Sequence, residues 1–333
     1  MTVYYEAKNY SRGRAAVMGV ATLLIVWFHA DLTMQTTVTS FLKTVCDIGV
    51  DMFLLASGAG IYFAVHKYSS YGKYLCSRLR RILPPFLLVS IPWYAYQVWG
   101  LGNGDWLTFW KQVTTLSFWL DGDWSCWFVP AILCLYLLAP LLVKLWDRSS
   151  WLGWLAFAAA VVFAVTVQYT KLMIYLGSQL IFIGRIPTFI AGVGLGRAIR
   201  EERRFRIFVP LLLPVLALCL FVMLSTWGFT SVSVPWVFRY FGYLPVAAML
   251  SVLSTKLPES RVLSSVGAIS LECYLLFEKI QILLQGQPWM WPLMARSDWF
   301  RPLTAAVLAL IFAAGLRWLC SRKWMARPLT SQK

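Results

Sequence analysis

The chain has 333 residues, of which 59% are hydrophobic and 13% are charged, and its formal net charge is +16. A soluble globular domain has roughly 45–50% apolar and about 25% charged residues, so this composition excludes an ordinary soluble fold. The apolar excess runs along the whole chain, which excludes a soluble domain held by one membrane anchor. We therefore predict a single transmembrane domain over residues 1–333, with the lipid bilayer as its main partner.

The positive charge is typical of membrane proteins, in which Lys and Arg collect in cytoplasmic loops. The anionic inner leaflet attracts these basic residues. Nucleic acid binding would be the alternative, but the sequence contains no basic recognition module and no zinc pattern. The seven cysteines are scattered, without a C-x-x-C pair. We therefore expect no nucleic acid partner and no metal.

Ten apolar segments approach the length of about 20 residues that a helix needs to cross a bilayer. They lie at residues 15–34, 46–65, 82–99, 127–146, 152–170, 179–197, 207–227, 235–254, 264–284 and 302–320. We predict an all-α fold, a polytopic transmembrane helix bundle of about ten spans. The first segment lacks a small-residue cleavage site, so we interpret it as a retained span and not as a signal peptide.

The distribution of basic residues tests this alternating layout, because Lys and Arg concentrate on the cytoplasmic side of a membrane. With the N-terminus inside, 22 of the 30 Lys and Arg residues fall in inner segments and five in outer segments. The other three, Arg185, Arg239 and Lys279, fall inside or at the edges of spans. We therefore predict that both ends of the chain face the cytoplasm.

The longest outer loop, residues 100–126, is rich in Trp and Asp, and a second outer loop, residues 285–301, contains three tryptophans. An aromatic belt at the membrane surface explains this composition and is the favoured interpretation. A lid or platform on which sugar rings stack is the functional alternative. No internal repeat is visible, which argues mildly against a repeat-built transporter.

Polar and ionisable side chains within a bilayer are costly, so each one is a functional hypothesis. They are His29, Asp51, Arg185, Arg239, Glu272, Glu278 and Lys279. His29 lies near the outer end of the first span. A lone histidine on an apolar helix is more often a core or interface residue than a catalytic one, so its position alone does not assign it. His66 lies at the inner end of the second span, and this position favours a solvated role at the membrane interface.

Six segments, in order along nearly the whole chain, resemble motifs of the acyltransferase 3 family of membrane acyltransferases. They are Met18–His29, Gly49–Gly58, Arg78–Pro84, Trp127–Leu133, Gly184–Pro187 with Gly192, and Ser270–Glu278. Each motif alone is weak. Six of them in the family's order, with the expected number of spans, are fairly specific.

Two positions depart from the family's pattern. Where its first motif has Arg or Lys, this chain has Met18, while Arg14 lies one helical turn earlier on the same face. We expect the long side chain of Arg14 to substitute. Arg14 and His29 are 15 residues apart, about 22 Å of helix, so they cannot touch. Near the C-terminus, Phe277 stands where the family often has His. These changes indicate a subgroup with another acceptor or a protein with reduced activity.

The resemblance implies an O-acyltransferase in the cytoplasmic (inner) membrane of a bacterium. The donor would be cytoplasmic acyl-CoA, with acetyl-CoA expected, and the acceptor a hydroxyl of an envelope or exported glycan. A sugar hydroxyl is a poor nucleophile at neutral pH, and a histidine with an ordinary pKa near 6.5 can take its proton. The hypothesis gives this role to His29. An acyl-histidine intermediate is equally compatible with the sequence.

A CoA donor needs a site for its phosphates. Arg78, Arg80 and Arg81 lie at the inner end of the third span, where guanidinium groups suit phosphate. The equal alternative is that these three arginines only set the orientation of the chain in the membrane. We expect Asp51 and Ser57, on the second span, to line the path of the pantetheine arm towards His29. The equal alternative for Ser57 is close helix packing together with its glycine neighbours. Glu272 is a further candidate catalytic residue, and we expect it to form an ion pair inside the bundle.

Arg185 and Arg239 are the candidate partners for Glu272, or stabilisers of an oxyanion. The main rival function is a non-enzymatic transporter or flippase for a glycan or a lipid-linked intermediate. Such a protein would use a water-filled cavity with buried charge pairs and would need no thioester donor. Binding of acyl-CoA separates the two classes. The sequence contains no signal for an oligomeric state.

Overall fold

A computed structural model of the chain describes residues 2–32, 36–258, 260–297 and 299–324. Its helices are α1 (Ala7–Phe28), α2 (Thr37–Cys46), α3 (Ile48–Lys67), α4 (Tyr71–Ala95), α5 (Trp106–Val113), α6 (Leu116–Leu120), α7 (Phe128–Arg148), α8 (Ser150–Tyr169), α9 (Leu172–Leu176), α10 (Leu180–Ile183), α11 (Ile186–Arg200), α12 (Val209–Thr226), α13 (Trp236–Ser254), α14 (Arg261–Ala268), α15 (Ser270–Gln285), α16 (Trp291–Arg296) and α17 (Phe300–Trp324). A π-helical turn (Tyr96–Gly100), a 3-10 turn (Pro288–Met290) and strands β1 (Thr2–Glu6) and β2 (Arg204–Phe208) complete the described structure.

The predicted all-α bundle is confirmed, and helices occupy all ten predicted segments. Within the described residues, eight helical segments are long and apolar enough to cross a membrane. The other two predicted spans fall on α4, whose second and third turns carry three arginines, and on the pair α14 and α15, which is interrupted at Ile269. Parts of the predicted layout, residues 33–34 of the first span and residues 325–333 with Arg327 and Lys333, lie outside the described residues.

Two helix boundaries differ from the predicted spans in ways that affect the site. α1 begins at Ala7 and ends at Phe28, so His29 follows the helix as its C-cap. α4 begins at Tyr71, well before the predicted start at residue 82, because Ser70 caps it by accepting a hydrogen bond from the amide of Lys73. The three arginines of α4 therefore lie within the helix and not ahead of it.

A two-stranded antiparallel ribbon, which was not predicted, joins the N-terminus to the loop after α11. Thr2 pairs with Phe208 and Glu6 pairs with Arg204. The strand sequences are rich in aromatic and β-branched residues, which suit a paired strand. Because the predicted layout assigns both segments to the inner side, their pairing at one end of the bundle agrees with that layout.

The central helix is α3, which is buried along most of its length. It packs against α11 where two glycines face each other, so that the backbones approach closely. A Cβ atom on Gly58 would lie 2.4 Å from the carbonyl oxygen of Phe189, and one on Gly192 would lie 2.5 Å from the carbonyl oxygen of Leu55. Gly58 therefore lies at a close helix-packing contact, as one of the two alternatives for Ser57 and its glycine neighbours predicted.

Gly58→Ala should destabilise the bundle by about 1–3 kcal/mol, because the added methyl group meets backbone atoms of α11 that cannot rotate away. The midpoint of thermal unfolding in detergent, followed by circular dichroism, measures this change. Gly315→Ala is the control, since a Cβ there has no heavy atom within 4 Å. Equal midpoints for the two variants would show that α3 and α11 do not depend on this contact.

Candidate active site

A cavity of about 340 Å³ runs inside the bundle between α1, α3, α4, α7, α13 and α15. This volume is within the range of small-molecule sites. α1 supplies Arg14, Met18, Ile25 and His29 to its wall, positions that share one helical face. Since Arg14 lies near the ribbon end of α1 and His29 at its other end, the cavity joins the two ends of this helix.

His29 is held so that one ring nitrogen faces away from its own helix. Its Nδ1 lies 2.9 Å from the carbonyl oxygen of Ile25. A carbonyl oxygen only accepts, so Nδ1 is the donor, and in the neutral form of the ring the lone pair is on Nε2. Among the described residues, Nε2 has no hydrogen-bond partner. The half-buried ring therefore presents a basic nitrogen at the wall of the cavity.

The backbone around His29 is fixed by two side chains from other helices. The amide of Gln281 on α15 donates to the carbonyl oxygen of His29 at 2.8 Å, and its oxygen accepts from the amide of Asp31 at 3.0 Å. Arg301 on α17 donates to the carbonyl oxygen of Asp31 at 2.8 Å and pairs with its carboxylate at 2.5 Å. Sequence patterns gave no indication of this role for Gln281 and Arg301.

Glu278 faces the same space as His29 from the opposite helix. Both residues line the main cavity, and both line a smaller cavity of about 20 Å³ beside it, which has room for one water molecule. Among the described residues, no basic side chain forms an ion pair with Glu278. Ser270, Tyr274 and Glu278 recur every four residues on α15, a spacing that identifies the cavity-facing stripe once the cavity is known.

A buried ion cluster adjoins the cavity, and one of its members, Asp47, lines the cavity wall. Arg185, which is fully buried between α10 and α11, lies 2.7 Å from the carboxylate of Asp47 and 3.0 Å from that of Asp51. Thr188 donates to the second oxygen of Asp51 at 2.9 Å. Asp51 therefore does not line the path to His29, as the sequence had suggested. Glu272 lies 4.0 Å from Arg317 and is paired with neither Arg185 nor Arg239.

Arg239 lines the outer part of the cavity inside a box of aromatic rings. Its guanidinium carbon lies 4.9 Å from the ring centre of Trp227, 4.1 Å from that of Trp236 and 4.8 Å from that of Tyr240. Trp227 in turn approaches Phe28, the neighbour of His29, with ring centres 6.5 Å apart. The aromatic faces stabilise the cation within the bundle.

The predicted donor-site residues are only partly brought together. Arg14, Arg81 and Ser57 line the cavity. Arg78 lies one turn before Arg81 on the same face of α4 and donates to the hydroxyl of Ser77 at 3.2 Å. Arg80 projects elsewhere and is exposed, and Glu272 is absent from the cavity wall.

The chain was compared with known proteins. The family model for the acyltransferase 3 domain matches residues 17–322. The chain belongs to the acyltransferase 3 family. No curated protein and no solved structure matches it. It is therefore a membrane acyltransferase, and this assignment favours an enzyme over the transporter or flippase interpretation. The matched region includes His29 and the arginines of α4, whereas Arg14 precedes it.

Arg185→Met should destabilise this acyltransferase by about 3–5 kcal/mol, because it leaves two buried carboxylates without their counter-charge. Thermal unfolding in detergent measures the effect. Arg204→Met is the matched control: that arginine is 71% exposed in its ion pair with Glu6, so its loss should cost less than about 1 kcal/mol. A melting curve for Arg185→Met like that of the control would contradict the structural role of the cluster.

Proposed function

We propose that this acyltransferase transfers an acyl group, with acetyl as the first candidate, from cytoplasmic acyl-CoA to a hydroxyl of an envelope or exported glycan. It would act in the cytoplasmic membrane of a bacterium. The observation that carries the proposal is a single cavity with Arg14 and Arg81 at one end of α1 and His29 at the other. A thioester held at its phosphates by the basic end has a route to the imidazole.

The chemistry assigned to His29 is general base catalysis. Its Nε2 takes the proton of the acceptor hydroxyl while the oxygen attacks the thioester carbonyl. The carbon–sulfur bond then breaks, and the imidazolium returns the proton to the leaving thiolate, so that CoA leaves as the free thiol. Nδ1 keeps its hydrogen bond to Ile25 throughout. Attack by Nε2 itself, giving an acyl-histidine, uses the same geometry and is the variant pathway.

Glu278 stabilises the positive charge that forms on His29 during transfer. Its carboxylate shares both cavities with the imidazole and has no ion-pair partner among the described residues. An opposite charge near a developing imidazolium lowers the energy of the transition state, and a low-dielectric cavity strengthens the effect.

The outer part of the cavity suits a carbohydrate acceptor. Trp124, Trp227 and Trp236 line it, together with the charged groups of Asp47 and Arg239. Aromatic faces stack on the C–H faces of sugar rings, while carboxylate and guanidinium groups bond to their hydroxyls. The inner part is lined by Arg14 and Arg81, whose guanidinium groups suit the phosphates of CoA.

His29→Ala should abolish transfer, because no other described histidine lines the cavity. Transfer from radiolabelled acetyl-CoA to endogenous glycans in membranes measures it, and loss of general base catalysis alone predicts a fall of about 10²–10⁴-fold. His66→Gln is the control, since His66 lies outside the cavity and pairs with Asp147. Undiminished transfer by His29→Ala would reject the proposed mechanism.

Replacing Arg78 and Arg81 together by Gln should raise the KM for acetyl-CoA about tenfold or more and leave kcat and folding little changed, because phosphate contacts are lost. The matched control replaces Lys144 and Arg148 of α7 by Gln. Both residues are exposed, and replacing them removes the same amount of positive charge from the predicted inner side. The same KM in both double variants would mean that the arginines of α4 only set topology.

The function as a whole is tested by mass spectrometry of envelope glycans from cells with and without the gene. A mass lost with the gene identifies the acyl group and the acceptor together. Purified protein that shows no saturable binding of acyl-CoA would instead favour the transporter or flippase.

A further inference from the structure

The guanidinium group of Arg14 occupies space that exists only because residue 60 is glycine. A Cβ atom on Gly60 would lie 2.9 Å from Nη2, 3.2 Å from Cζ and 3.6 Å from Nη1 of Arg14. All three neighbours belong to one side chain on α1. Gly60 lies on α3, one turn beyond Ser57, which lines the cavity. The missing side chain therefore makes room for a cationic group at the cavity wall.

This glycine differs from the packing glycine two residues earlier. A Cβ on Gly58 would meet backbone atoms of α11, which marks a helix-to-helix contact. A Cβ on Gly60 would meet only the far end of a flexible side chain. Substitution at Gly60 can therefore be accommodated by moving the guanidinium of Arg14, without separating two helices.

In the part of the chain that the structure describes, Arg14 has no hydrogen-bond or ion-pair partner that would explain its position. Its Nε is buried without a hydrogen bond, and among the described residues no carboxylate pairs with its guanidinium. Two other guanidinium groups, those of Arg81 and Arg78, repel it. Three mutually repelling guanidinium groups near one cavity wall are unfavourable until an anion binds between them. The buried Arg185, in contrast, has two carboxylates.

We propose that Gly60 is a positioning residue for the donor site: it holds open the space from which Arg14 contacts a phosphate group of the acyl donor. This rests on the proposed function. It also accounts for a departure of the chain from its family, because Met18 stands where the family has a basic residue. The guanidinium of Arg14, one helical turn before Met18 on α1, reaches the cavity only if α3 leaves room for it at Gly60.

The test is a double-mutant cycle on the full-length protein in detergent, with Gly60→Ala, Arg14→Gln and the double variant. The measured quantities are the Kd for acetyl-CoA and the KM and kcat of transfer. We expect each single variant to weaken acetyl-CoA binding about three- to tenfold, with kcat little changed. The double variant should bind like Arg14→Gln alone, because Gly60 acts only through Arg14.

Gly72→Ala on α4 is the control, since a Cβ there has no heavy atom within 4 Å. Unchanged binding in Gly60→Ala, losses that multiply in the double variant, or a fall in kcat alone would each overturn the proposal. If Gly60→Ala also lowers the unfolding midpoint, Arg14→Gln should restore it by removing the clash. A failure of restoration would assign Gly60 to helix packing instead.

The same measurements separate this inference from the proposed function. Wild-type protein that does not bind acetyl-CoA rejects the donor assignment altogether, and the proposal for Gly60 falls with it. If wild-type protein binds acetyl-CoA and Gly60→Ala binds it with the same Kd, only the proposed role of Gly60 is rejected. Repeating the cycle with 3′-dephospho-acetyl-CoA supports the proposal in either outcome: a persisting effect assigns Arg14 to the diphosphate, and a lost effect assigns it to the 3′-phosphate.

Discussion

The structure depends most on the ion cluster that Arg185 forms with Asp47 and Asp51. A guanidinium and two carboxylates removed from water are tolerated only while they compensate one another, so the helices that carry them have little freedom to slide. Arg185 comes from the break between α10 and α11, whereas the aspartates flank the start of α3. The cluster therefore fixes the register of α3 against α11 and places Ser57 and Gly60 against α1.

The two ends of the cavity differ in chemical character, and α1 supplies a key side chain at each end. α1 carries Arg14 at one end of its cavity-facing stripe and His29 at the other, with apolar residues between them. Water is a competitor for a thioester, so an apolar passage between a phosphate site and a base favours transfer over hydrolysis. In the proposed reaction, the length of α1 would set the separation between the phosphates of the donor and its reacting carbonyl carbon.

Apolar runs and basic loops predicted the helix bundle and the approximate place of each helix, because these properties are local. They did not predict the β ribbon, the interruption at Ile269 or the early start of α4, which depend on tertiary contacts and capping. Motif resemblance pointed to His29 and helical spacing pointed to Arg14, and both residues line the cavity. Glu278 and Gln281 were not assigned, because the sequence shows that a residue is polar but not which face of its helix meets a cavity.

The two histidines of the chain show why only one suits base catalysis. His66 has Nδ1 at 2.8 Å from the carbonyl oxygen of Tyr62 and Nε2 at 2.9 Å from the carboxylate of Asp147. Both partners only accept, so each ring nitrogen already faces an acceptor in the protein and neither is open to a substrate. His29 satisfies one acceptor with Nδ1 and keeps Nε2 free among the described residues. The difference lies in hydrogen bonding, and it is the reason that the proposed reaction uses Nε2 of His29 as the base.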